Sequence, residues 1–310
     1  MQFIKSYIKS MRLYYCFVTL TAGAVGISMF NGAAVADKAV LGLILFFSWG
    51  VNQIINDYLN IEEDKINAPQ RPMVSGALNP KGALMVSACA ISFIIIYSIY
   101  KNPAAVIPAA AGVVLNILYS KFKGYGLLGC VFFGLSISCC AWFAYVLLGG
   151  NLFMDAARWQ MFSILVIFNM VMTYFTYFKD IAGDAAAGKR TLPVRLGAKK
   201  AGKLGMLLSF IPGAILFLLL IVITTYTQNI YFCILTPVAA GIFILTGFLF
   251  LKNSAGSKTY YNLKYNFAAL CACQSALVCA SRPLEGFILG VVSVLGVLII
   301  FTRGYQNAAE

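Results

Sequence analysis

The residues best suited to chemistry in this 310-residue chain are carboxylates that gather in two short stretches. Six of the ten Asp and Glu residues lie within residues 56–76 and 179–193, and each stretch ends an apolar run. They are Asp57, Glu62, Glu63, Asp64, Asp180 and Asp184. Carboxylates this close together at a membrane edge repel one another and favour protonation unless a cation binds among them. Mg²⁺ suits such a site, because it takes carboxylate oxygens and shares its other positions with substrate phosphates.

The spacing within each stretch repeats a helical period. Asp57, Asn60 and Asp64 are three and four residues apart, so a continuous helix would stack them on one face. Asp180 and Asp184 repeat the four-residue spacing at the end of another apolar run. Two such faces pointing into one cavity could hold two Mg²⁺ ions bridged by a diphosphate. The alternative interpretation, two ordinary solvated helix ends, leaves the concentration of acidic residues unexplained.

Basic and polar side chains surround both acidic stretches and are candidates for binding phosphate. Arg71 is the most convincing, because it lies between Pro69 and Pro72 in a stiffened turn and could present a planar fork. The other basic candidates are Lys65, Lys121, Lys123, Lys179, Lys189 and Arg190. Their simpler interpretation is the positive charge that cytoplasmic loops of membrane proteins carry. Further polar and aromatic side chains lie near the same helix ends: Asn52, Gln53, Asn56, Asn116, Tyr119, Tyr14, Tyr15, Phe17, Phe175 and Phe178. They could line a shared polar cavity. Alternatively, the polar ones could only join helices, and the aromatic ones could form a belt at the membrane interface.

The elements that must position these residues are membrane helices. With 61% hydrophobic and 11% charged residues, and repeated apolar runs, the chain predicts an all-α, polytopic membrane bundle. Nine or ten helices are expected, because the run 263–281 is the most polar. The candidate spans are 11–30, 39–59, 82–100, 104–120, 126–149, 159–178, 203–226, 231–251, 263–281 and 286–303.

Charge and composition also predict orientation and exclude several functions. When Lys and Arg residues are counted over alternate loops, 19 lie on the side of the acidic stretches and 4 on the other side. This difference predicts that both acidic stretches face the cytoplasm. The net charge of +13 is therefore mostly a matter of topology, and no nucleic-acid partner is expected. The chain contains no histidine, which excludes a histidine base or metal ligand. The nine cysteines lie in apolar runs without CxxC spacing and indicate packing residues.

These motifs resemble those of the UbiA superfamily of intramembrane prenyltransferases. Its first signature is an Asn-Asp pair with two further aspartates, and this signature is similar to Asn56, Asp57, Asn60 and Asp64. The family then has an Asn-x-Pro-x-Arg-Pro motif and a Ser-Gly pair, which are similar to Asn67, Pro69, Arg71, Pro72, Ser75 and Gly76. Its second signature is similar to Asp180, Asp184, Gly188, Thr191, Leu192 and Pro193. The Tyr-Ser pair with following lysines is similar to Tyr119, Ser120, Lys121 and Lys123.

The resemblance implies a single integral-membrane prenyltransferase domain over residues 1–310, with a function and a set of site residues. Mg²⁺ would assist ionisation of a polyprenyl diphosphate, and the prenyl group would pass to an aromatic quinone precursor or a glycerol-phosphate acceptor. The expected catalytic and metal-binding residues are Asp57, Asn60, Asp64, Asp180 and Asp184. The expected diphosphate-binding residues are Asn56, Lys65, Asn67, Arg71, Tyr119, Lys121, Lys123, Lys179 and Arg190. Asn60 departs from the usual aspartate, since an amide oxygen can coordinate Mg²⁺ but brings no charge.

Two other functions fit parts of the pattern. In a membrane terpene cyclase of the same superfamily, an alkene of the substrate's own chain would capture the cation, and no acceptor would be needed. In both enzymes the isoprenoid tail would lie in a cavity open to membrane lipid. A cation transporter would instead carry carboxylates distributed through the bilayer, whereas between the two stretches only Asp155, in an outer loop, is acidic.

Overall fold

The structure, a computed structural model, describes residues 2–222 and 229–309, without the side chains of residues 63, 66, 67 and 304–309. This part of the chain contains helices and no strand. The helices are α1 Gln2–Met11, α2 Cys16–Ser28, α3 Val35–Leu59, α4 Ile61–Asn67, α5 Pro80–Lys101, α6 Val106–Phe122, α7 Leu128–Leu147, α8 Ala156–Thr176, α9 Ile181–Ala186, α10 Leu192–Leu196, α11 Ala198–Leu208, α12 Phe210–Val222, α13 Ile230–Lys252, α14 Ser257–Ser281 and α15 Pro283–Ala309. Short 3₁₀ turns lie at Leu13–Tyr15, Pro103–Ala105 and Tyr177–Asp180.

The predicted all-α membrane bundle is confirmed. Within residues 2–222 and 229–309, nine helices are long and apolar enough to cross a membrane. The first predicted span, 11–30, is a shorter apolar helix over Leu13–Ser28, because a turn at Arg12 separates it from α1, whereas the predicted tenth span, 286–303, is among the nine long helices. The end of the predicted span 203–226 lies outside the described residues, which stop at Val222 on this side.

Polar caps begin several of the long helices. Asn79 precedes α5, where its side chain accepts a hydrogen bond from the Gly82 amide at 2.9 Å, and Pro80 occupies the first helical turn. Asp155 precedes α8 and accepts from the Arg158 amide at 2.9 Å. These side chains satisfy amides that have no partner within the helix, which sets where each helix starts.

Helix α14 lies at the centre of the bundle and contacts the 3₁₀ turn Tyr177–Asp180 of the second acidic stretch. It is the most buried of the long helices in the described chain, and it packs against α2, α8, α13 and α15. Helix α2 in turn packs closely on α7, where a Cβ added at Gly26 would overlap the Ala141 carbonyl. Helices α5 and α6, by contrast, are largely exposed and make little contact with each other.

Both acidic stretches follow a long helix through a break, which corrects the prediction of one continuous helical face. Helix α3 ends at Leu59, Asn60 takes a non-helical conformation (φ −110°, ψ 19°), and α4 starts again at Ile61. After α8, the 3₁₀ turn Tyr177–Asp180 precedes α9 in the same way. Each break shifts the carboxylates that follow it to a new direction, so sequence spacing alone does not fix their positions.

Candidate active site

A cavity of about 790 Å³ brings the two acidic stretches together. Its polar end contains the four carboxylates Asp57, Asp64, Asp180 and Asp184, together with Asn60 and cationic side chains. The opposite end is apolar and is lined by residues of α3, α5, α6 and α7. A chamber with charged groups at one end and hydrocarbon at the other suits an amphiphilic substrate with an anionic head.

The first acidic stretch forms a buried network with two arginines. One guanidinium nitrogen of Arg12 donates to both carboxylate oxygens of Asp57, at 2.9 and 3.2 Å. Gln53 donates to the same carboxylate at 2.8 Å, and Arg71 reaches it at 3.5 Å. Arg71 also forms an ion pair with Asp64. Burial raises the pKa of Asp64, and the adjacent Arg71 counteracts part of that shift.

The second acidic stretch is held by lysines. The Lys123 ammonium lies 2.9 Å from Asp184 and 3.3 Å from Asp180, and Lys179 lies 3.4 Å from Asp180. Burial alone would lower the pKa of Lys123, but Tyr119, Asp180 and Asp184 raise it above its ordinary value. Lys123 therefore stays charged and joins the ends of α6 and α9.

One oxygen at this site is without a partner. The Asp184 side chain is 6% exposed, and its Oδ2 atom is buried with no hydrogen-bond partner among the described residues. A buried carboxylate oxygen left unsatisfied is costly, so it indicates a group that binds there.

The carboxylates at the polar end of the cavity fit Mg²⁺ in combination with a substrate phosphate. In the described part of the chain, no three acidic, Cys or His side chains are grouped closely enough to hold a metal by themselves. The carboxylates instead form two pairs, one bridged by Arg71 and one by Lys123. Mg²⁺ commonly takes one or two carboxylates and fills its remaining positions with phosphate oxygens and water. Each pair therefore fits an ion that a diphosphate completes.

The remaining predicted site residues divide into two groups. Asn56, Asn60, Tyr119 and Lys179 line the cavity, as does Lys189. Among the residues whose side chains are described, three candidates point elsewhere: Lys65, Lys121 and Arg190 are exposed and do not line the cavity. Lys65 pairs with Glu62 at 2.7 Å. The side chain of Asn67 lies outside the described residues, so its predicted contact with diphosphate stays a prediction.

Aromatic rings form a continuous wall of the cavity, here called the aromatic wall and made of Tyr15, Trp49, Phe133 and Tyr119. Tyr15 stacks on Trp49 with ring centres 4.8 Å apart, Trp49 meets Phe133 edge-on at 5.5 Å, and Phe133 lies 4.6 Å from Tyr119. All four rings line the cavity. Of the aromatic residues suggested by the sequence, Tyr14, Phe17, Phe175 and Phe178 instead pack in the described core.

Sequence reasoning missed three residues of the site: Arg12, Trp49 and Phe133. Arg12 counted only as a positive loop residue, yet it adopts a left-handed backbone (φ 51°) that turns the chain between α1 and the 3₁₀ turn Leu13–Tyr15. That conformation is uncommon for a long side chain such as arginine and indicates a local constraint. A lone arginine beside an aromatic pair was the available sequence signal, but it did not indicate a partner 45 residues away.

Comparison with known proteins gives consistent matches. The model of the UbiA prenyltransferase family matches residues 15–268. A digeranylgeranylglyceryl phosphate synthase from Methanosarcina mazei is 32% identical over 224 residues, which are 66% of this chain and 75% of that protein. The protein of the same name from Pyrococcus horikoshii is 26% identical over 210 residues, 67% of this chain and 74% of its own length.

Solved structures share the fold. The apo structure of a UbiA homolog from Aeropyrum pernix K1 has a TM-score of 0.69 and 15% identity, over 87% of this chain and 98% of that one. A UbiA homolog from Archaeoglobus fulgidus, bound to GPP and Mg²⁺, has a TM-score of 0.59 and 16% identity, over 86% and 99%. At these identities the likeness concerns the fold of the bundle.

Proposed function

Since the chain belongs to the UbiA prenyltransferase family, as a multi-pass membrane enzyme, we propose that it transfers the prenyl group of a polyprenyl diphosphate to a glycerol-phosphate acceptor. The observation that carries this proposal is the cavity, with two carboxylate pairs and their cations at one end and an apolar chamber at the other. The names of the relatives from Methanosarcina and Pyrococcus support a glycerol-phosphate acceptor over an aromatic one.

The charged side chains suit the binding of metal and diphosphate together. Asp57 and Asp64 share Arg71, and Asp180 and Asp184 share Lys123, so each carboxylate pair is already compensated by a cation. The A. fulgidus homolog bound to GPP and Mg²⁺ supports Mg²⁺ as the ion, and we propose two ions, one for each pair. Bound there, Mg²⁺ would supply positive charge that stabilises the leaving diphosphate.

Cations that now pair with carboxylates would then be able to bind the substrate. Asp57 and Asp64 would hold the metal ion, and Arg12 and Arg71, which pair with them here, would offer their guanidinium groups to diphosphate oxygens. Lys123 and Lys179 can do the same at the second pair, and Asn60 can offer its amide oxygen as an uncharged ligand. These residues place positive charge where the leaving group gains negative charge, which favours breaking of the allylic C–O bond.

The cavity wall beyond the diphosphate suits the carbocation that ionisation creates. The aromatic wall presents π-faces between the charged end and the apolar end, and it offers no base or nucleophile stronger than the Tyr hydroxyls. Capture of the cation by an acceptor hydroxyl forms the new C–O bond, and the hydroxyl proton passes to the released diphosphate or to water, which completes the transfer. We also propose that the acidic stretches face the cytoplasm, which the excess of Lys and Arg in the loops on their side supports, and that residues 1–310 act as one domain.

A terpene cyclase is the second candidate, and the aromatic wall is the observation that favours it. A cyclase holds a cation beside π-faces while the substrate's own alkene attacks, so it needs no acceptor. Purified protein supplied with Mg²⁺ and C10 to C20 allylic diphosphates distinguishes the two functions by mass spectrometry of the products. An ether product that forms only when a glycerol-phosphate acceptor is added supports transfer. A cyclic hydrocarbon or terpene alcohol formed without acceptor would overturn it.

A further inference from the structure

The first helix, α1, has three distinct faces around its circumference. One face packs on the bundle, a second carries exposed isoleucines, and a third carries exposed lysines. At the usual helical period, the centres of neighbouring faces lie roughly 100° or more apart. They are called here the packed face (Phe3, Ser6, Tyr7, Ser10 and Met11), the isoleucine face (Ile4 and Ile8) and the lysine face (Lys5 and Lys9).

Contacts of the packed face place α1 beside the charged ends of the membrane helices. Phe3 lies beside Gly82 in the first turn of α5, and Met11 packs against α3. Arg12 follows α1 directly and pairs with Asp57 near the end of α3. Helix α1 therefore lies on the side of the acidic stretches, where the apolar core of a membrane gives way to its headgroups.

The two outward faces suit different layers of a lipid leaflet. Ile4 is 62% exposed and Ile8 is 45% exposed, and the apolar side chains of such amphipathic helices insert at the boundary between acyl chains and headgroups. Lys5 and Lys9 are exposed on the adjacent face, and neither forms an ion pair with a carboxylate of the described residues. Anionic headgroups supply the charge that complements them.

We infer that α1 is an interfacial helix that binds anionic phospholipid headgroups through its lysine face, while its isoleucine face inserts among the acyl chains. Lipid bound in this way holds α1 against the bundle from the outside. No linker separates α1 from the left-handed residue Arg12, so whatever holds α1 also restrains the backbone that carries the guanidinium on Asp57. The Tyr15 amide, which donates to the Arg12 carbonyl at 2.8 Å, reports on this turn.

The test measures amide hydrogen exchange over residues 2–15 in two kinds of nanodisc, one of phosphatidylcholine and one of equal parts phosphatidylcholine and phosphatidylglycerol. Wild-type protein should exchange roughly 10- to 30-fold more slowly with phosphatidylglycerol, since each lysine near an anionic surface contributes about fivefold. Lys5→Gln with Lys9→Gln should lose most of this difference and match the wild type in phosphatidylcholine and in detergent. Ile4→Gln with Ile8→Gln should exchange faster in both nanodiscs, because contact with the acyl chains is lost.

The matched control is Lys199→Gln with Lys200→Gln, which removes the same charge from two exposed lysines of α11. It should keep the full lipid difference at α1, as should Lys5→Arg with Lys9→Arg, which keeps both charges. Exchange of the buried helix α14 checks that each variant is folded.

Equal exchange of wild-type α1 in the two nanodiscs would overturn the inference, as would a Lys5→Gln, Lys9→Gln variant that keeps the full difference. Exchange is measured without donor or acceptor, so the inference goes beyond the proposed function. A protein that releases no diphosphate would refute that function alone.

Discussion

The ion pair between Arg12 and Asp57 offers a direct test of the polar end of the cavity. Arg12 donates to both oxygens of an Asp57 side chain that is 3% exposed, so the interaction is largely shielded from water. We propose that the same guanidinium binds diphosphate when a metal ion takes Asp57. A hydrogen bond to a charged group contributes about 1.5–3 kcal/mol. Arg12→Ala should therefore lower kcat/KM for the donor by roughly 10- to 150-fold.

The assay is Mg²⁺-dependent diphosphate release by purified protein, measured over a range of donor concentrations. Lys9→Ala is the matched control, because Lys9 carries the same charge three residues earlier and is exposed. It should retain kcat/KM within about twofold. If Arg12→Ala behaves like Lys9→Ala, Arg12 does not bind the diphosphate and the reasoning fails.

The backbone at Arg12 allows a second comparison with the same assay. Arg12 has a left-handed conformation that glycine adopts without strain. Arg12→Gly should lose as much activity as Arg12→Ala, since both lack the guanidinium, yet it should be more stable than Arg12→Ala by roughly 1 kcal/mol. Thermal unfolding in detergent measures that difference, and equal melting temperatures would contradict the argument from strain.

Three further predictions concern the second carboxylate pair, the aromatic wall and the packing of α2. Asp184→Asn should lower diphosphate release by roughly 100-fold or more, because a buried charged ligand is lost. It should also raise the Mg²⁺ concentration needed for half-maximal activity. An unchanged Mg²⁺ titration would contradict this role for Asp184. Trp49→Leu should lower kcat by roughly 30-fold if its ring contributes about 2 kcal/mol to cation stability. Trp159→Leu should not, because Trp159 lies near the start of α8, at the end of that helix away from the acidic stretches. Gly26→Ala should destabilise the protein by about 1–3 kcal/mol, because its methyl group would overlap the backbone of α7. Gly42→Ala, whose methyl group would lie 4.0 Å from its nearest neighbour, Leu20 Cδ1, should melt like the wild type.

The sequence alone was sufficient for the membrane architecture and for the acidic stretches. Apolar runs long enough to cross a bilayer must be helices there, because the backbone has no other hydrogen-bond partners in lipid. The concentration of carboxylates at 56–76 and 179–193 marked the polar end of the cavity for a similar reason, since clustered charges at a membrane edge need a counter-ion.

The same reasoning could not separate neighbouring basic residues. Lys121 and Lys123 are two positions apart at the end of α6, which places them on nearly opposite sides of a helix. Lys123 forms ion pairs with Asp180 and Asp184, whereas Lys121 is exposed. Which of the two faces the cavity depends on the rotation of α6 against α7, and composition carries no information about that rotation.

What the sequence determined by itself is the set of helices and the chemistry of the two acidic stretches, because both follow from local composition. What only the tertiary structure decided is the set of partners: Arg12 on Asp57, Trp49 between Tyr15 and Phe133, and the depth of the cavity. These depend on how separate helices pack, on a left-handed turn at one residue and on a helix break at Asn60. Contacts between distant residues arise from packing of the whole bundle, so no single stretch of sequence encodes them.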